Sequence, residues 1–311
     1  MEEQAQLAKL RRAIIRRLPK IGLTSLLKLL PLSEAETEAL LLRSVQKTRH
    51  LSPTTTFAIP LVGAHQVSNW QTIEETLTRT LNNLLAQSDP NWRAVICSQT
   101  EPNCVGLEER ITFLPFRKKI DGHDKVEKLK ALSRHCLLED CKPGFFMPMD
   151  GDDLLANDFI ESLHTDTSLG WVADGGYILN SSNGRVGYTK KRSLREITQK
   201  PFWKFCGSCM ALPVGNDPQK EANFFAALVN HEHRLYPFLA ELAGYPLNYS
   251  EIPQAMYLIN HGENFETRRG RGGFKQRFAE KFAVKDPAKL SEIAARFPSS
   301  ENLINQCRDA P

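Results

Sequence analysis

The chain has 311 residues and a mass of 35.2 kDa, enough for one large or two ordinary domains and for a core that needs no disulfide or metal to hold it. With 41% hydrophobic and 24% charged residues it reads as globular, which excludes a disordered, fibrous or coiled-coil chain; no apolar run approaches the ~20 residues of a membrane span, and Arg11, Arg12, Arg16 and Arg17 interrupt any signal-peptide core, so a soluble, cytoplasmic chain is expected. Ten of its 40 basic and five of its 36 acidic residues lie in residues 1–50, a net of +5 that leaves −1 for the rest of a chain whose total is +4.

That basic front reads as helical. Leu7, Leu10, Ile14, Ile15 and Leu18 recur at helical spacing, Lys9, Arg12 and Arg16 fall off that stripe, and Pro19 ends the first helix. After a short apolar run from Leu23 to Leu30, Ser33 and Glu36 form a capping box ahead of a helix to about Lys47. Two fates fit a basic amphipathic helix: docking on the protein's own core, or lying on an anionic membrane surface. No basic-aromatic motif points to nucleic acid.

From residue 54 the pattern alternates strand and helix. Thr54–Val62 is a buried strand by its β-branched and apolar content. Ser68 or Asn69 caps a helix whose Ile73, Leu77, Leu81, Leu84 and Leu85 share one face. Trp92–Cys97 and Ile111–Phe116 are further strands, Val126–Cys136 a helix, and Phe145–Met149 a strand running into Asp150-Gly151-Asp152-Asp153. This order predicts a mainly parallel sheet covered by helices, with ligands beyond the carboxyl ends of the strands. In an extended segment Asp150 and Asp152 project to one side and Asp153 to the other. Two such carboxylates, with Gly151 between them to admit a ligand, suit Mg²⁺ or Mn²⁺; the plain alternative is a solvated acidic turn before a helix near Asn157. Further on, Trp171–Leu179 reads as a strand leading through the turn 180–184 into a hairpin. Asp174 beside Gly175-Gly176 is a candidate sugar contact. The seven cysteines are scattered and odd in number, as in a reducing compartment. The one tight pair, Cys206 and Cys209, is either packing material or a redox or zinc pair. The tail from about residue 267 reads as a basic loop followed by one or two helices, with a basic cluster running through Arg268, Arg269, Arg271, Lys275, Arg277 and Lys281. With the N-terminal helices it is expected to form a helical cap or a basic face.

Segment 54–264 resembles the nucleotide-sugar-dependent glycosyltransferases of the GT-A fold, closest in style to the family 2 group. The resemblance rests on Phe57-Ala58-Ile59-Pro60 ending the first strand, Thr80-Leu81-Asn82-Asn83-Leu84-Leu85-Ala86-Gln87 on the following helix and Asn91–Ile96 led by Trp92. It continues through Met149–Leu155 carrying the Asp-x-Asp triplet, the Gly-containing segment Trp203–Pro213, and Tyr257–Asn264 closing the domain. It implies an α/β catalytic domain over residues 51–266, between a helical extension (1–50) and a helical tail (267–311). The implied activity is transfer of a sugar from a nucleotide donor, UDP favoured, to a glycan or lipid-linked acceptor hydroxyl in surface polysaccharide or lipopolysaccharide synthesis, by inversion rather than retention. Pro60 and Val62 would contact the base and ribose; Asp152 would ligate Mn²⁺ or Mg²⁺ while Asp150 binds ribose or metal. His261 would complete the metal shell, and Lys125 and Lys128 would approach the nucleotide. Glu232 stands where the family places its general base, and the flanking His231 and His233 could equally be bases or ligands. The match departs at Ser98-Gln99-Thr100-Glu101, where an acidic pair is usual, making Gln99 the base-reading candidate, and at Glu232-His233, where Glu-Asp is usual.

Two other classes fit less well: a binding protein that keeps the fold with a dead site, and a dithiol oxidoreductase on Cys206 and Cys209. No Gly-x-Gly-x-x-Gly or Gly-Lys-Ser/Thr loop follows an early strand, which disfavours dinucleotide enzymes and P-loop kinases.

Overall fold

The computed structural model describes residues 2–45, 53–106, 108–120, 122–263 and 273–305. The expected boundaries at 50/51 and 266/267, and Arg268, Arg269 and Arg271, lie outside these residues; the second helix, expected to reach about Lys47, ends at Arg43, with Ser44 as its C-cap.

A seven-stranded, mostly parallel sheet forms the centre, in the order β10-β6-β9-β4-β1-β2-β3. Its strands are β1 (Thr54–Pro60), β2 (Trp92–Ser98), β3 (Ile111–Pro115), β4 (Gly144–Pro148), β6 (Gly170–Ala173), β9 (Met210–Val214) and β10 (Leu247–Ser250). Only β9 runs against its neighbours β4 and β6. The chain leaves β1 for β2 and β3 on one side and returns to β4 on the other, so the strand order reverses between β1 and β4. That reversal opens a crevice beyond their carboxyl ends. A second sheet, β5-β11-β7-β8, is built from β5 (Leu154–Leu155), β7 (Gly176–Asn180), β8 (Arg185–Thr189) and β11 (Ala255–Ile259).

The early strands and helices follow the sequence closely because their signals are local. Asn69 caps α3 (Trp70–Leu85), and Ile73, Leu77, Leu81 and Leu84 are buried against the sheet. Leu85, expected on that face, is exposed; Asn83 is buried in its stead. It exchanges two hydrogen bonds with the backbone of Leu155, 2.9 and 2.7 Å long. Thr80 donates to the carbonyl of Gly151 and Gln87 to that of Ala156. The polar residues of this helix, with Gln87 just beyond its end, therefore hold the acidic loop that follows β4 and the residues after it. Burying them is tolerable because each is hydrogen-bonded.

Two expectations fail where a local pattern meets a nonlocal constraint. Trp171–Leu179 is not one strand: the chain breaks at Asp174-Gly175, leaving β6 in the large sheet and β7 in the small one. A Cβ on Gly175 would sit 2.1 Å from the carbonyl oxygen of Glu251, and one on Gly176 2.2 Å from the Phe202 ring. These glycines admit protein, not ligand. The hairpin itself is present, β7 pairing with β8 around the turn 181–184.

The terminal helices cover separate parts of the body instead of forming one cap. The helices Gly273–Lys281 and Pro287–Arg296, with the short helix Glu301–Asn305, complete the apolar clusters of the small sheet, where Ile293, Phe297 and Ile304 meet Tyr177, Leu179 and Met256. At the other end, α2 (Glu34–Arg43) packs on the helices Pro218–Leu228 and Tyr236–Leu242, and α1 (Glu2–Arg17) on the second of these. The Ser33/Glu36 capping box forms as expected. Arg16 pairs with Glu241, Arg11 with Glu36 at 2.7 Å, and Arg43 donates to the carbonyls of Glu241 and Leu242. Ile15, Leu27, Ala35, Ala39 and Leu42 are fully buried, so docking on the core accounts for one face of these helices. The expected single stripe on α1 nevertheless divides: Ile15 is buried and Leu18 partly so, while Leu10 and Ile14 are exposed.

Candidate functional site

β1 and β4 deliver the two walls of the cleft. β1 ends at Pro60, and the chain continues through Leu61 and Val62 along one wall; β4 ends at Pro148, and Met149 passes into the acidic loop. The resulting cavity, of about 660 Å³, is also lined by Lys125, Lys128, Phe205, Gly207, His233, Tyr257, His261 and Lys275. Of the residues singled out from sequence, Pro60, Val62, Lys125, Lys128, Asp150, Asp152 and His261 meet here.

The acidic loop is a turn, with the Asp153 amide donating to the Asp150 carbonyl at 3.3 Å. Asp150 and Asp152 line the cleft and Asp153 lies beneath them, as strand alternation suggested but for a different reason. Gly151 faces the side chains of Leu61, Leu77 and Ile59, so its missing side chain lets the turn seat on the core as well as opening the cleft. Asp153 is sealed in: its Oδ2 accepts from the Cys206 thiol at 2.9 Å and from the Ser208 hydroxyl at 2.5 Å. The same Ser208 oxygen accepts from the Asp150 amide at 2.8 Å. Burial first, then the charges of Asp152 and Asp150, holds the Asp153 carboxyl well above the usual range. Cys206 and Cys209 are free thiols, buried and pushed far upward by desolvation. Cys206 thus supports the acidic loop, and neither sulfur has the depressed pKa of a redox thiol.

Both cleft carboxylates have partners. Lys125 forms an ion pair with Asp150, and His261 Nε2 lies 2.8 Å from Asp152 Oδ2, the carboxylate accepting from the ring N–H. Burial opposes the Asp150 charge, but Lys125 outweighs it and keeps that carboxyl below its ordinary value. Oxygens of Asp150, Asp152 and Asp153 lie within 4.8 Å of one another. Clustered carboxylate oxygens with one imidazole alongside are a donor set that fits Mg²⁺ or Mn²⁺. Asp150, Asp152 and His261 are the residues that would hold such an ion.

Lys128 lines the cleft with its ammonium already engaged by the protein. Its side chain is 0% exposed, and its ammonium binds Asp124 Oδ2 at 2.7 Å and the Leu61 carbonyl at 2.6 Å. Gln99 is not in the wall. Its Nε2 donates to Asp124 Oδ2 at 2.7 Å, so it braces the same buried carboxylate. Asp174 is outside the cleft, buried between β6 and β7, where it accepts from the Trp203 indole at 2.9 Å. Glu232 is exposed and does not line the cleft.

Its neighbour His233 does. The chain enters a 3-10 turn at His233–Leu235, which turns that imidazole inward. Burial first, then the charge of Lys125, pushes its pKa down to about 4. Its buried Nε2 has no hydrogen-bond partner among the described residues. Lys275 completes the opposite wall, donating to the Tyr257 hydroxyl at 3.0 Å. Sequence reasoning placed Lys275 only in a basic cluster, because nothing local ties a residue of the last third to a loop after β4.

The chain matches no known family model and no curated protein.

Proposed function

We propose that the protein is a metal-dependent glycosyltransferase that takes a nucleotide-sugar donor, with UDP favoured as the nucleotide, and delivers its sugar to a hydroxyl of a glycan or lipid-linked acceptor. The observation that carries this reading is the cleft at the β1/β4 reversal, where an apolar wall faces a carboxylate pair flanked by cations. Pro60, Leu61 and Val62 offer a surface for a base and ribose. Lys125 and Lys275 offer positive charge to a diphosphate. A cation held by Asp150, Asp152 and His261 would act as a Lewis acid that neutralises the departing diphosphate. Lys125, paired with Asp150 beside that site, would place its ammonium next to the phosphate oxygens. His233 lines the cleft as a neutral imidazole, and Glu232 does not line it. In this reading His233 orients the acceptor hydroxyl and takes its proton as the leaving group departs.

The outward position of Glu232 also favours a second reading, a nucleotide-sugar-binding protein without turnover. A thermal-shift screen of sugar nucleotides with Mn²⁺, Mg²⁺ or EDTA, followed by assay of nucleotide release, separates the two. A metal-dependent shift with one nucleotide, lost in Asp152→Asn, is expected, together with release of nucleoside diphosphate. A shift without release would leave the binding protein. No shift with any sugar nucleotide would overturn both.

A further inference from the structure

The face of the N-terminal helices that points away from the body has no counterpart among the other described residues. Six of the eleven large hydrophobic side chains exposed among the described residues fall between positions 10 and 41: Leu10, Ile14, Ile21, Leu23, Leu26 and Leu41. Leu10, Ile14 and Ile21 are 60%, 44% and 65% exposed. Docking does not account for them. The inner side of α1 is already satisfied by buried Ile15 and by the Arg11 and Arg16 ion pairs to Glu36 and Glu241. At 100° per residue, Leu10, Ala13 and Arg17 lie on the side of the helix opposite Ile15, with Ile14 on its flank, and all four are exposed. The helix is therefore apolar on two faces, of which the body covers one.

The charge around the second face is of one sign. Between Glu3 and Glu34 there are seven Lys and Arg and no acidic residue. Arg11 and Arg16 are committed to ion pairs with Glu36 and Glu241, whereas Lys9, Arg17 and Lys20 are exposed beside the apolar side chains. A soluble partner of ordinary composition is not selected by such a surface. An anionic bilayer is, because it offers apolar depth to the leucines and isoleucines and a sheet of negative charge to the flanking cations.

We propose that this face seats the protein on an anionic lipid surface, with Leu10, Ile14 and Ile21 entering the acyl boundary and Lys9, Arg17 and Lys20 at the headgroups. The protein lies on the bilayer and does not span it; no described helix is long and apolar enough to cross. This proposal is independent of the chemistry in the cleft.

Flotation of the full chain with vesicles of phosphatidylcholine alone, or with 30–40% (about a third) phosphatidylglycerol, tests it. Binding to the anionic vesicles only is expected, weakening with salt. Each exposed basic residue contributes about 1 kcal/mol near such a surface, roughly five-fold in partition. Lys9→Glu/Arg17→Glu/Lys20→Glu should therefore reduce binding by at least about 100-fold. Leu10→Ser/Ile14→Ser/Ile21→Ser should abolish it. Both variants should melt like the parent, since the altered side chains are exposed. Lack of binding to either vesicle, or binding unchanged in both variants, overturns the proposal. A parent that sediments as a dimer and becomes monomeric in the serine variant also overturns it, because the face would then be an interface between copies. Flotation does not depend on nucleotide or metal, so its outcome and that of the sugar-nucleotide screen are separate.

Discussion

Replacing Lys128 by Met tests whether this residue is a strut of the cleft or one of its ligand contacts. The ammonium is fully buried and bridges Asp124, which sits at the start of α4 (Lys125–Arg134), to the carbonyl that ends the β1 wall at Leu61. Asp124 is itself buried and makes no capping bond to the helix; its Oδ2 is occupied by Lys128, Gln99 and Gln66. Methionine fills most of the volume, so the cost is mainly electrostatic: a buried carboxylate without its counter-charge and a carbonyl without its donor. Breaking a buried pair from one side costs roughly 3–5 kcal/mol. At about 2 °C per kcal/mol for a chain of this length, thermal melting should fall by roughly 6–10 °C. Lys128→Met/Asp124→Asn should recover about half of that loss, because the amide oxygen still accepts from Gln99 and no charge remains buried. Melting measured by calorimetry decides the matter. A single variant that melts within about 2 °C of the parent but loses the sugar-nucleotide shift would refute the reasoning and return Lys128 to the ligand.

Three further outcomes follow from the same site. Gly207 faces the open cleft, where an added Cβ would lie 3.5 Å from Asp150 Oδ2 and 3.6 Å from Lys125 Nζ. Gly207→Leu should therefore leave melting nearly unchanged while abolishing nucleotide binding by calorimetric titration; undiminished binding would place the ligand elsewhere. Ser208→Ala removes one of two donors to Asp153 and the acceptor of the Asp150 amide, so denaturant unfolding should show a loss of roughly 1–3 kcal/mol, with Cys206→Ser costing less because a hydroxyl still donates. His233 has a folded pKa near 4, below the 6.5 of the free imidazole, so the unfolded chain takes up the proton first as pH falls. Its contribution to stability is present above pH 6.5 and is lost between 6.5 and 4, by at most about 3 kcal/mol and less in proportion to its partial exposure. The melting difference between His233→Gln and the parent should accordingly shift in favour of the variant as pH drops through that window, and a constant difference would contradict the buried, neutral imidazole.

Sequence alone determined what local physics controls. The β-branched run at Thr54, the caps at Ser33 and Asn69, the spacing of Ile73, Leu77, Leu81 and Leu84, and the apolar strand feeding Asp150 each depend on a few neighbouring residues. Periodicity and capping report them directly, and the alternation of strand and helix then implied a mainly parallel sheet with a site at its carboxyl edge. The tertiary structure decided everything that depends on which distant segment arrives. Lys128 and Gln99 had suitable chemistry for a nucleotide contact, but Asp124 lies within reach of both, and a buried carboxylate takes its donors before a ligand can. Asp174 was captured by Trp203 in the same way. Which of the neighbours Glu232 and His233 lines the cleft was set by the direction of a single 3-10 turn, which no side-chain pattern encodes. The two faces of α1 are the converse case. Its composition showed that it was amphipathic and basic, but only the packing of Ile15, Arg11 and Arg16 against the body revealed that a second apolar face was left over, because a helix buries just the side that finds a complementary surface.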